Sequence, residues 1–178
     1  PLAYYTLLWL WMGIFGQSLI AIRMLSILAG VASVYIIYRI SLELFDERTA
    51  QLAALIASLA PFQIHYAQEI RMYAFMTMWL LLATLTCLRG MRTGYWGWWA
   101  LFSVASALAM YTHNLAAFYL ITLAIIPIIK RDWISIKSVT MAGLLSVLLY
   151  SPWLVQLPAQ FAKVQQNYWV ERPDLSKL

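Results

Sequence analysis

The sequence predicts an all-α fold, a polytopic transmembrane helical bundle of about six spans with an interfacial helix at its start. Three observations predict it. Of the 178 residues, 63% are hydrophobic and only 11% are charged, against about 25% charged in a typical soluble domain. The charges gather in short turns between apolar runs close to the ~20 residues that a spanning helix needs. Finally, residues 93–129 carry no charge over 37 positions. As one straight helix this run would measure ~55 Å at about 1.5 Å per residue, against a hydrocarbon core about 30 Å thick. The run must therefore fold back, and its one polar cluster, Tyr111-Thr112-His113-Asn114, marks the turn.

Each element has its own signal. Residues 1–17 are apolar but short, with Trp9 and Trp11; they form either the end of a span or a helix lying in the interface, where aromatic residues concentrate. Residues 19–40 are a span candidate with Arg23 near its start, followed by the charged connection Arg39, Glu43, Asp46, Glu47 and Arg48. Residues 49–64 form the next span, which Pro61 should bend or stop. Residues 72–88 are a charge-free span closed by Arg89-Gly90-Met91-Arg92. Two short spans share 93–129, and Lys130, Arg131, Asp132 and Lys137 form the turn after them. Residues 138–157 are the last span, with a kink expected at Pro152, and 158–178 form a polar tail. The whole, 1–178, reads as a single transmembrane domain. The lone cysteine, Cys87, permits no disulfide within the chain. With no initiator Met and no signal-peptide pattern, the sequence reads as a piece of a longer chain.

Alternating the spans sorts the loops. Arg39, Arg48, Arg89, Arg92, Lys130, Arg131 and Lys137 fall on one face, while the short loops of the other hold only Arg23 and Arg71. The positive-inside rule makes the first face cytoplasmic, so the net charge of +5 reflects cytoplasmic loops rather than a nucleic-acid partner. His65, Glu69, Arg71, His113 and Asn114 then fall outside, with Tyr4, Tyr5 and the tail, and this convergence is what a site in a helical bundle needs.

The stretch His65-Tyr66-Ala67-Gln68-Glu69-Ile70-Arg71-Met72-Tyr73 is the centre of that group. Glu69 and Arg71 are the only charges in 49–88, and charge at membrane depth costs about 2.5–3.5 kcal/mol per residue on insertion scales. If the stretch is helical, His65, Glu69 and Tyr73 share a face and Glu69 does not meet Arg71; if it is extended, Glu69 and Arg71 share a side. Arg suits bidentate phosphate binding, and Glu suits a base or a metal ligand. The plain alternative is a Glu favourably placed at a helix N-terminus with a snorkelling Arg. His65 and Glu69 supply only two ligands, so no metal site is assigned and a divalent-ion requirement stays open. His113 either orients a substrate or satisfies its own turn.

Taken in series, Pro1-Leu-Ala-Tyr-Tyr, Ile14-Phe-Gly-Gln-Ser, Ala21-Ile-Arg-Met-Leu-Ser, His65 through Tyr73, Tyr111-Thr-His and Tyr150-Ser-Pro-Trp resemble the bacterial membrane glycosyltransferases of the protein mannosyltransferase and aminoarabinose transferase type, with the GT-C fold. The resemblance implies an enzyme of the bacterial cytoplasmic membrane with its site facing outward. It would take a sugar from a polyprenyl-phosphate donor and pass it to a lipid, glycan or protein acceptor. By position, Glu69 and Arg71 match the polar motif near the carrier phosphate, with His65, Tyr66 and Tyr73 around them. Tyr4 and Tyr5 match the aromatic end of the first external loop, and His113 the tip of a later one. The family's catalytic acid is expected upstream of Pro1, so no catalytic residue is assigned within this chain. The rival classes are a transporter, which would favour broken helices and inverted repeats, and a non-catalytic membrane protein.

Overall fold

The computed structural model describes residues 2–155; the tail expected at 158–178 lies outside them. The described residues form eight helices and no strand. Helix α1 (Leu2–Phe15) stops where Gly16 takes a left-handed φ of 82°, a conformation that costs glycine nothing. Ser18 then caps α2 (Leu19–Leu44) by accepting from the Ala21 N–H, and Asp46 caps α3 (Glu47–Leu59) by accepting from the Thr49 N–H.

The span expected over 49–64 is not one helix. Ala60 is extended, with φ −64° and ψ 120°, and Pro61 opens a separate helix, α4 (Pro61–Gln68). Proline disfavours helical backbone at the residue before it yet is at home in a first helical turn, so Pro61 starts a helix where the sequence suggested an end. Helix α3 has 13 residues, ~20 Å at about 1.5 Å per residue, too short to cross a hydrocarbon core by itself.

The fold-back in 93–129 is present. Helix α5 (Tyr73–Thr93) ends on Gly94 at φ 67°, and α6 (Trp96–Thr112) and α7 (Ala116–Ile129) follow. The break falls after Thr112, slightly later than the polar cluster suggested, because the Thr112 hydroxyl donates to the Leu108 carbonyl within α6. Helix α8 (Trp133–Leu154) begins five residues earlier than expected, because Asp132 accepts from the Ser135 N–H and caps it. Helices α2, α5 and α8 are long and apolar enough to cross a membrane, whereas α1 and α7 are apolar but shorter.

Apolar clusters join the helices. Ala83, Cys87, Trp99, Phe102, Leu123, Val139 and Ala142 pack α5 to α8 together. Gly90 makes room for the Trp99 indole, since a Cβ there would lie 2.7 Å from it. The Ser103 hydroxyl donates to the Ala142 carbonyl and ties α6 to α8. Tyr4, Leu8, Leu25, Ala29, Ala74 and Phe75 join α1, α2 and α5.

Polar contacts define the two ends of the bundle. At one end the Glu43 carboxylate lies between Arg89 at 2.7 Å and Arg92 at 2.9 Å, so the C-terminal ends of α2 and α5 sit together. Lys130 and Asp132 line a pocket with Glu43 and Arg92, which brings the α7–α8 turn to the same end. That turn holds Arg131 at φ 52°, a left-handed conformation costing a non-glycine residue about 1–3 kcal/mol. The opposite end gathers the start of α1, the α4–α5 turn and the α6–α7 turn, where Tyr150 of α8 donates to Asn114 at 2.8 Å.

Candidate functional site

The stretch 65–73 is neither wholly helical nor wholly extended. Helix α4 runs through Gln68, Glu69 is extended at φ −76° and ψ 141°, and α5 starts at Tyr73. The helical part brings His65 Nε2 to 3.4 Å from Glu69 Oε1, as the i, i+4 spacing requires. The turn then carries Arg71 away from Glu69. Its Nη2 donates to the Tyr73 hydroxyl at 2.9 Å, and its guanidinium carbon lies 4.6 Å from the centre of the Tyr73 ring. Glu69 and Arg71 therefore do not neutralise each other.

Aromatic edges hold this arrangement. Tyr66 meets Tyr73 at 5.0 Å, Phe62 at 4.6 Å and His65 at 5.3 Å, all in T-shaped contacts, the preferred geometry for such pairs. Helix α4 is fixed from behind by α2. A Cβ on Gly30 would fall 2.8 Å from the Ala67 Cβ, and Gln63 Nε2 donates to the Gly30 carbonyl at 3.2 Å. A pocket of about 320 Å³, lined by Phe62, Gln63, Tyr66, Tyr73 and Thr77 among others, opens beside the cluster.

Glu69 Oε2 is buried and meets no donor among the described residues. A buried carboxylate oxygen without a partner is costly, while its sister oxygen faces the exposed imidazole of His65. Arg71 is exposed and, among the described residues, is bonded only to a neutral phenol. The turn thus offers an acceptor and a cation two residues apart in the chain, both with unused capacity. Among the described residues no three His, Cys, Asp or Glu side chains come together as a metal-binding group.

The other candidates stand apart. His113 lies at the same end of the bundle but in its own turn, where its Nδ1 accepts from the Leu115 N–H at 3.2 Å. Tyr4 is buried, 1% exposed, and packs on Phe75 with ring centres 5.7 Å apart. Its hydroxyl meets no hydrogen-bond partner among the described residues. Tyr5, by contrast, is 54% exposed. Beneath Tyr4 lies an apolar cavity of about 420 Å³, lined by Leu7, Phe75, Trp79, Leu108 and Tyr111 among others. Sequence reasoning missed Gly30, Phe62 and Gln63 as supports of the site. The repeat of Phe62, Tyr66 and Tyr73 was a usable signal, but nothing in the sequence announces that Gly30 lies against Ala67.

No curated protein and no solved structure matches the chain significantly. The family comparison does find a match, and it covers every candidate site residue named above. A family model described as dolichyl-phosphate-mannose-protein mannosyltransferase spans residues 1–155, and the chain belongs to that family.

Proposed function

We propose that this membrane glycosyltransferase moves a sugar from a polyprenyl-phosphate donor to a lipid, glycan or protein acceptor on the extracytoplasmic face, and that the α4–α5 turn holds the donor. The acceptor hydroxyl oxygen bonds to the anomeric carbon as the bond from that carbon to the phosphate oxygen breaks. The hydroxyl proton passes to a carboxylate base, which the family resemblance puts upstream of Pro1, and the polyprenyl phosphate leaves as an anion. Arg71 stabilises that leaving phosphate. Glu69 accepts from a hydroxyl of the sugar or the acceptor, with His65 and Tyr66 beside it and His113 at a second edge of the same bundle end.

The observation that carries this reading is the unspent charge of the turn. Glu69 Oε2 has no donor and Arg71 has no carboxylate within ion-pair distance among the described residues. A turn built only to end a helix has no need of a buried carboxylate oxygen without a donor, which is costly to keep.

The test is Arg71→Ala in the complete natural protein, assayed with a radiolabelled polyprenyl-phosphate sugar. Turnover should fall about 10²–10³-fold, the usual loss when a donor to developing negative charge is removed, with the amount of membrane-inserted protein unchanged. Undiminished transfer would refute the role.

A further inference from the structure

The end of the bundle away from the α4–α5 turn carries a second polar feature that sugar transfer does not use. We propose that the α7–α8 turn, with the ends of α2 and α5, binds the headgroup of an anionic phospholipid. A pocket of about 300 Å³ opens there, lined by Glu43, Leu88, Met91, Arg92, Lys130 and Asp132. The carboxylates in it are already engaged. Glu43 is held by both Arg89 and Arg92, and Asp132 caps α8 through the Ser135 N–H. Lys130 and Arg131 have no carboxylate within ion-pair distance among the described residues. Arg92 and Lys130 line the cavity, Arg89 grips Glu43 at its edge and Arg131 follows Lys130 in the turn. At this end of the bundle these four cations stand against the two carboxylates Glu43 and Asp132, and a phosphodiester supplies the missing negative charge.

Two further observations point to a lipid. The turn is flanked by exposed apolar side chains, Ile129 at 76%, Trp133 at 78% and Ile134 at 79%. Acyl chains cover such groups, and Trp favours the headgroup boundary. Basic pockets between spanning helices are recurrent headgroup sites. The other observation is the left-handed backbone at Arg131, φ 52°. It closes α7 with the Arg131 N–H donating to the Ile128 carbonyl and the Asp132 N–H to the Pro127 carbonyl, at a place where glycine is the usual residue. A cation stands where the backbone alone favours glycine, next to Lys130 in the chain.

The test titrates the detergent-solubilised natural protein with phosphatidylglycerol or phosphatidylcholine. Native mass spectrometry reads lipid retention, and Trp fluorescence follows thermal unfolding. Phosphatidylglycerol should be retained at least about five-fold better, and the Lys130→Gln/Arg131→Gln variant should lose most of that preference, since each basic group near an anionic lipid adds measurably to binding. Arg131→Gly separates charge from folding. Its Tm without lipid should be unchanged or higher, because the backbone strain is relieved, while phosphatidylglycerol retention falls. Equal retention of the two lipids, or an undiminished preference in the double variant, overturns the proposal. So does a lower lipid-free Tm for Arg131→Gly, which would make Arg131 a structural group. An equal thermal shift with inorganic phosphate alone would identify a free-anion site and also overturn it.

Discussion

Glu69 and Arg71 are two positions apart, and the turn between α4 and α5 keeps them from pairing. Had the helix run on, Arg71 would have swung to another face of α4; had the stretch been a strand, the two would have paired. The i, i+4 contact of His65 with Glu69 was legible in the sequence, because helical spacing alone sets it. The stacking of Arg71 on Tyr73 was not, because it depends on how the turn hands over to α5. Arg71→Lys should recover only part of the activity lost in Arg71→Ala, because a point charge replaces the planar fork that grips phosphate in two places; kcat against donor concentration checks this. Glu69→Gln keeps the shape and removes the charge. It should weaken acceptor or donor binding about ten-fold, equivalent to ~1.4 kcal/mol for a charge-assisted hydrogen bond, seen as a raised KM with protein levels unchanged.

At the scale of the helix, α4 is the element that carries most of the proposed site, and its position rests on a missing side chain. Gly30 lets Ala67 approach α2. Gly30→Ala should push α4 outward, costing about 1–3 kcal/mol for overpacking and disproportionately lowering transfer. Gly90→Ala overpacks the Trp99 contact in the same way but far from the turn, so it should lower Tm with less effect on kcat. The pair, measured together, separates loss of fold from loss of site. Helix ends make a pH prediction of their own. Hydrogen bonds from Thr49 and Ser135 hold the Asp46 and Asp132 carboxylates below their ordinary value of 3.8. Lowered folded-state values mean that these caps contribute fully above that value and are lost as pH falls below it. The Tm gap between the natural chain and Asp132→Ala should therefore close in acid below about pH 3.8 and persist at neutral pH. Caps of this kind were only partly legible: Asp132 read as a loop residue, and its capping moved the start of α8 forward. Pro61 was legible as a breakpoint, though its role as an opening residue followed from Ala60 turning extended.

Over the whole molecule, the bundle has two chemically different ends. One is tied by Glu43 to Arg89 and Arg92, the other by Tyr150 to Asn114. Glu43→Ala leaves two arginines, one of them largely buried, without their carboxylate, and should cost about 2–3 kcal/mol, read as a drop in Tm with the α4–α5 turn intact. Single cysteines placed at Gln68 and at Lys130 should react with a membrane-impermeant maleimide from opposite sides of the membrane. Native Cys87 is buried and gives little background. Labelling of both positions from one side would overturn the extracytoplasmic placement of the site. The sequence by itself determined the helical membrane class, the fold-back within 93–129 and the grouping of basic turns, because hydrophobic run length and charge spacing act locally and survive without knowledge of neighbours. The tertiary structure alone decided that α3 and α4 are separate, that Gly30 seats Ala67, that Arg71 rests on Tyr73 rather than on Glu69, and that Tyr4 is buried. Each of these depends on which helices touch, and contact between residues distant in sequence is set by packing shape, which no local pattern encodes.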